Sequence, residues 1–231
     1  MKYKAVIFDL FGTLVDIFSV REYENILVQM ASNLEAPYDN FRKIWMQTAK
    51  QRATGALGTL EENLWYICRE LDLAVTIRRI EKAKQIRFDY VARALIPRKD
   101  AIDVLSKLKS SGYKIALISN CSTEPPIIWP GTPFAPFFDI ALFSSVVGIT
   151  KPDRRIFQMA VERLSVEPSK CLYVGDGGDD ELAASAAIGM TPILIRAIHE
   201  NSGDALRPND NVGNFTGQRI TSLKEVLNLV K

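Results

Sequence analysis

The chain has 231 residues, 47% of them apolar, and its 29 Lys and Arg face 27 Asp and Glu, for a net charge of +2. That length and apolar share fit one large domain, or a core with a smaller insertion, around a sizeable buried core. The near balance of charge argues against nucleic acid and against an anionic membrane surface as partners. No window approaches the roughly 18 consecutive apolar residues of a membrane span, and no signal-peptide pattern is expected at the start. Cys68, Cys121 and Cys171, an odd set without CxxC spacing, point to reduced thiols and a cytoplasmic setting.

Residues 4–8 form a short apolar run that stops at Asp9, the pattern of a strand buried on both faces of a parallel sheet. From about residue 17 to 93 no strand pattern recurs. Amphipathic stripes over 23–34, 41–52, 60–71 and 78–94 predict an α-helical insertion, so residues 1–15 and 95–231 form one unit and 16–94 another. The stretch "RATGALGT", 52–59, breaks two of these helices. Such a loop could reach a ligand, with Arg52 as a substrate contact, although an ordinary helix-C-terminal arginine is the plainer reading. Trp45 and Trp65 lie at helical spacing and fit core positions.

A helix over 100–109, stopped by Gly112, leads to a strand over 114–118 that ends at Ser119-Asn120. Residues 122–136, rich in proline, predict a stiff loop. A strand over 140–143 precedes Lys151-Pro152, and Asp153 can cap a helix over 154–164. A strand over 171–174 runs into "VGDGGDDEL", which carries Asp176, Asp179 and Asp180, followed by a helix to residue 188. After a strand over 192–195, the polar stretch 200–217 reads as a surface loop. His199 reads as solvent-exposed. Ser222 and Glu225 have capping-box spacing for a last helix. The alternation predicts an α/β fold, a Rossmann-like doubly wound parallel sheet with an inserted helical segment.

In such a sheet ligands bind outside the carboxyl ends of the strands. Asp9, Gly12-Thr13, Ser119-Asn120, Lys151, Asp176, Asp179 and Asp180 all fall there. Converging carboxylates repel unless a cation sits among them, and an oxygen-only set suits Mg²⁺, which also binds substrate phosphate. Thr13, Ser119, Lys151 and backbone N–H groups could grip that phosphate while a free oxygen of Asp9 attacks phosphorus, giving an aspartyl-phosphate that water hydrolyses. The implied partner is a small phosphorylated molecule. Asp179 reads as a solvent-facing turn residue, and Cys121 as a buried small residue rather than a nucleophile.

"DLFGTL", "SN", "KPD" and "GDGGDD", in this order, resemble the four motifs of the haloacid dehalogenase superfamily, and the resemblance extends over essentially the whole chain. It implies that the insertion is a cap of the C1 type. It implies Asp9 as nucleophile, Thr13 and Ser119 as phosphate-orienting hydroxyls with Asn120 beside them, and Lys151 as the neutralising cation. It further implies Mg²⁺ held by Asp9, the Phe11 carbonyl and Asp176, with Asp180 supporting the metal. The sequence departs from the family's phosphatases at Phe11, where they carry an acid that serves as proton donor and then base. General acid–base help is worth about 10²–10⁴-fold, so its loss slows chemistry without abolishing it.

Three functions compete. A Mg²⁺-dependent phosphatase of a small metabolite fits most of the site and is the first expectation. A metal-independent 2-haloacid dehalogenase fits the aromatic at position 11, since halide leaves without a proton. It is opposed by the retained Asp176 and by the lack of an evident cation for the substrate carboxylate near the first motif, Arg21 being the nearest. A non-catalytic relative is the third. Asp16 fits either a hinge or a helix-start acid.

Overall fold

The computed structural model describes residues 2–198, 200–207 and 212–231. The five apolar runs become strands: β1 (Ala5–Phe8), β2 (Lys114–Ser119), β3 (Ile140–Phe143), β4 (Cys171–Gly175) and β5 (Thr191–Ile195). A sixth, β6 (Gln218–Ile220), has two exposed residues of its three, so no apolar run announced it. All pair in parallel in the order β3-β2-β1-β4-β5-β6. The chain reverses direction of winding beside β1, and an open α/β sheet offers its ligand crevice at that switch point.

Between β1 and β2 the chain is helical: α1 (Val20–Asn33), α2 (Tyr38–Gln47), α3 (Ala49–Ala53), α4 (Leu60–Glu70) and α5 (Ile77–Ala94), then α6 (Ala101–Ser110). The stripe expected as one helix over 41–52 is divided at Thr48, whose hydroxyl donates back to the Ile44 carbonyl at 2.8 Å. Such back-bonding competes with the helical ladder and bends helices. Thr59 and Glu62 form a capping box that starts α4. Where the insertion leaves and rejoins the sheet, the Arg98 backbone N–H donates to the Leu14 carbonyl at 2.9 Å, and the Arg98 side chain pairs with Asp16, also at 2.9 Å.

The later helices are α7 (Glu124–Ile128), α8 (Ser144–Val147), α9 (Arg154–Leu164), α10 (Glu181–Ala187) and α11 (Val226–Leu229). Asp153 caps α9 through the Arg155 N–H, as its position predicts. The proline-rich stretch folds into α7 and two 3₁₀ turns. Side chains alternate along β1: Val6 and Phe8 join a core shared with the insertion, α6 and α11, while Ala5 and Ile7 face α9 and α10. None of the helices among the described residues is long and apolar enough to cross a membrane. All three cysteines are free and buried.

Phe157 of α9 is fully buried and meets the Tyr173 ring edge-on at 5.2 Å between centroids. Emptying that position leaves a cavity under β4, so Phe157→Ala is expected to lower stability by about 3–5 kcal/mol in urea unfolding.

Candidate active site

Asp9 lies one residue past β1, and its backbone N–H donates to the Val174 carbonyl at 2.9 Å, which fixes it against β4. The next turn depends on Gly12, held at φ +80°. A Cβ at that position would stand 2.1 Å from Asp176 Oδ2, so the loops after β1 and β4 meet because residue 12 has no side chain. Thr13 is buried and its hydroxyl donates to Asp9 Oδ2 at 3.2 Å. Expected to hold substrate, the Thr13 hydroxyl here lies against the Asp9 carboxylate.

Lys151 is the hub. Its buried Nζ donates to Asp9 Oδ1 at 2.6 Å, to Glu181 Oε2 at 2.5 Å and, more weakly, to the Tyr173 hydroxyl at 3.4 Å. Tyr173 donates in turn to Glu181 Oε2 at 2.7 Å. Burial disfavours the ammonium, but Asp9 and Glu181 outweigh it and hold Lys151 above the usual lysine range. Burial raises Asp9 to about 8 against the pull of Lys151, with Glu181 and Asp176 adding to the rise. Burial likewise raises Glu181, opposed by Lys151. Asn120, expected on substrate, braces this lysine: the Lys151 N–H donates to Oδ1 at 2.8 Å, and Nδ2 donates to the Lys151 carbonyl at 3.0 Å and to Asp179 at 2.7 Å. Asp179 is therefore part of the site's frame. Ser119 Oγ, at the end of β2, is buried and finds no partner among the described residues.

The third and fourth acids need a correction. Asp180 was expected beside the metal, but the acids whose oxygens lie within 4.8 Å of one another are Asp9, Asp176 and Glu181. The reason is the turn: Asp179 and Asp180 both take left-handed conformations, at φ +52° and +50°. Asp tolerates that region, and the extra twist delays the inward-facing position by one residue. Asp180 instead borders a neighbouring groove with Val212 and Phe215. Glu181 was readable in "GDGGDDEL" as the next acid along, but nothing in spacing distinguished it.

Arg207 carried no sequence signal at all, being one arginine in a polar loop. Its Nε donates to Asp176 Oδ2 at 2.6 Å and its Nη2 to Glu200 Oε1 at 2.8 Å. The other Asp176 oxygen accepts the Gly178 N–H at 3.0 Å. Three clustered carboxylates thus meet two fixed cations, Lys151 and Arg207. The three oxygens converge within 4.8 Å, an oxygen-only donor set that suits Mg²⁺ chemically.

These groups open into a cavity of about 510 Å³, whose other wall belongs to the insertion. Phe11 lines it and stacks on Phe18 at 4.4 Å between centroids, and Phe18 stacks on Tyr90 at 5.3 Å. Arg52 is no surface residue. It is buried, lines the cavity and lies 3.8 Å over the Trp45 ring. The loop after it touches the rim, since a Cβ on Gly55 would stand 2.2 Å from the Ser145 carbonyl oxygen. Arg21 is exposed and Asp16 pairs with Arg98. Burial pushes the Cys121 thiol up to about 12, which suits a packing residue. His199 lies outside the described residues.

Residues 3–187 match the model of a haloacid dehalogenase-like hydrolase family. Among curated proteins, (S)-2-haloacid dehalogenase 4A of Burkholderia cepacia is 27% identical over 197 residues, covering 83% of this chain and 82% of its own. The glyceraldehyde 3-phosphate phosphatase of Methanothermobacter thermautotrophicus is 31% identical over 147 residues, 62% of this chain and 64% of its own. Among solved structures, a HAD phosphatase from Thermococcus onnurineus has a TM-score of 0.65 at 20% identity, over 98% of this chain and 97% of its own, a likeness of fold. The family match spans most of the sequence, and the chain belongs to the haloacid dehalogenase-like hydrolases.

Proposed function

We propose that the protein hydrolyses a phosphate ester or acyl phosphate of a small molecule through a phosphoryl-enzyme on Asp9, in a reduced, cytoplasmic compartment. The observation that carries this reading is the cluster of Asp9, Asp176 and Glu181 oxygens within 4.8 Å. Displacing halide from carbon needs no such gathering of acids. Phosphoryl transfer, which is catalysed mainly by positioning and charge, gains from a cation held there. Asp9, Asp176, Glu181 and the Phe11 carbonyl are the groups that would hold Mg²⁺, which when bound supplies Lewis-acid charge at the phosphoryl oxygens.

The chain's own residues do the rest. Lys151 holds Asp9 Oδ1 and Thr13 holds Oδ2, fixing the carboxylate's plane. Asp9 forms a bond to phosphorus as the ester oxygen leaves with its electron pair. Lys151, which lines the cavity beside Asp9, supplies the positive charge that this reading sets against the phosphoryl oxygens. Water then attacks phosphorus, releasing inorganic phosphate and the free Asp9 carboxylate. Phe11 gives the departing oxygen no proton, so the leaving group takes one from water. Substrates whose leaving oxygen is already stable as an anion are favoured.

A second reading has its own support. Arg207 sits on Asp176, and the Phe11–Phe18–Tyr90 stack makes one wall apolar. Both suit metal-free displacement of halide from a 2-haloacid by Asp9, with water cleaving the resulting ester, and the (S)-2-haloacid dehalogenases are similar over most of this chain.

Phosphate release from p-nitrophenyl phosphate or acetyl phosphate with Mg²⁺ is the test. Activity should vanish with EDTA and with Asp9→Asn, and simple alkyl phosphates should be slower by at least about 10²-fold for want of a general acid. Halide release from 2-chloropropionate in EDTA, with no phosphate release, would sink the phosphatase reading. Within it, Glu181→Gln should reduce kcat at least about tenfold more than Asp180→Asn, because only the former loosens Lys151 from its second acid.

A further inference from the structure

The cavity's far end, under the insertion, has the opposite charge to its rim. Arg52, in the last turn of α3, and Arg87, in α5, are both buried and both line it. Arg87 Nε donates to Glu124 Oε1 at 2.8 Å, while among the described residues neither its buried Nη1 nor the second Glu124 oxygen has a hydrogen-bond partner. Arg52 Nη1 donates to the Thr48 hydroxyl at 2.7 Å, and among the described residues no carboxylate lies within ion-pair distance of it. Two guanidinium charges therefore meet one carboxylate in a desolvated wall. The Tyr90 hydroxyl, its ring 5.5 Å from the Arg87 guanidinium carbon, is also buried and has no partner among the described residues.

A buried cation without a counterion is costly, and so is a buried donor without an acceptor. Stacking on Trp45 and the more distant Glu124 offset part of the Arg52 cost, and Arg87 beside it adds to that cost. Burial pulls Arg52 down to about 10, so it remains charged at neutral pH. The fork geometry of arginine fits carboxylate and phosphate oxygens.

We propose that this end of the cavity receives a second anionic group of the substrate, a carboxylate or a phosphate, held by Arg52 and Arg87, while the reacting group lies against Asp9 and Lys151. The proposal rests on the phosphate-ester reading and narrows it to bifunctional acids. It also assigns the helical insertion a part in substrate choice.

Binding of non-hydrolysable probes tests it without turnover. Propylphosphonate, 3-phosphonopropionate, 4-phosphonobutyrate, propane-1,3-bisphosphonate and glutarate are titrated calorimetrically into the full chain with Mg²⁺. At least one bifunctional phosphonate should bind about tenfold or more tighter than propylphosphonate, the increment of one charge-assisted contact. Arg52→Gln should erase that gain. The carboxylate and bisphosphonate arms tell which anion is preferred. Propylphosphonate binding with no gain from a second anion overturns the proposal and leaves the phosphatase reading standing. A gain that survives in Arg52→Gln also overturns it. Glutarate binding that depends on Arg52, with no phosphonate bound, keeps the anion subsite and removes the phosphatase reading. No binding by any probe overturns both. Should Arg52→Gln fail to fold by circular dichroism, Arg52→Lys keeps the charge without the planar fork and should lose most of the gain; full retention overturns the proposal.

Discussion

The site depends on one buried ammonium. Lys151 Nζ lies between Asp9 and Glu181, 2.6 and 2.5 Å from their oxygens, and all three side chains are buried at the floor of the cavity. Taking such charges out of water costs several kcal/mol per ion, and removing one partner of a buried pair costs about 3–5 kcal/mol. The arrangement is therefore poor value as a stabilising device and persists because the fold over-determines it. Asn120, at the end of β2, clamps the lysine's backbone from both sides, so the segment after β3 reaches across β2 to β1. Gly12 lets the loop of the nucleophile touch the loop of Asp176. Phe157 packs on Tyr173, which hydrogen-bonds the acid that Lys151 also holds.

Charge then divides the cavity. At the carboxyl ends of the central strands acids outnumber the fixed cations, while in the wall formed by α3 and α5 cations outnumber acids. Arg207 is the element that makes the rim ambiguous. A guanidinium on Asp176 Oδ2 partly neutralises the rim without any metal, and a divalent ion at the same oxygen would have to share it or displace it. The two functional readings are therefore two occupants of one position, and they predict opposite responses to chelation.

Much of this was legible in the sequence for a physical reason. Strands buried on both faces must be continuously apolar, so β1 to β5 stood out, and Asp9, Ser119, Lys151 and Asp176 were found as the polar residues that end or follow such runs. The sixth strand, half exposed, lacked that signature. Glu181 was missed because two successive left-handed residues shift the inward position, a backbone choice that spacing does not encode. Arg207 and Glu200 reach the site from a loop whose composition says only that it is polar. Arg52 stood as a candidate substrate contact beside the plainer reading of a helix-terminal arginine. It is both in the last turn of α3 and buried, and the burial was not legible because it comes from Trp45, seven residues back, and from the break at Thr48.

Phe11 ties these points together. Where an acid would need a proton inventory and water, the chain instead builds a stack of Phe11, Phe18 and Tyr90 between the nucleophile and the helices of the insertion. An apolar wall strengthens every electrostatic contact made beside it, because the local dielectric falls. It also withholds the proton that a poor leaving group requires. In both functional readings the work then falls on charge, not on proton transfer from residue 11, with Asp9 proposed as nucleophile and Lys151 beside it. Substrates are then sorted by how well the leaving atom bears a negative charge, a demand that acyl phosphates and alkyl halides satisfy equally. An aromatic at position 11 is compatible with both proposed reactions, and the two differ in whether a metal or Arg207 neutralises Asp176.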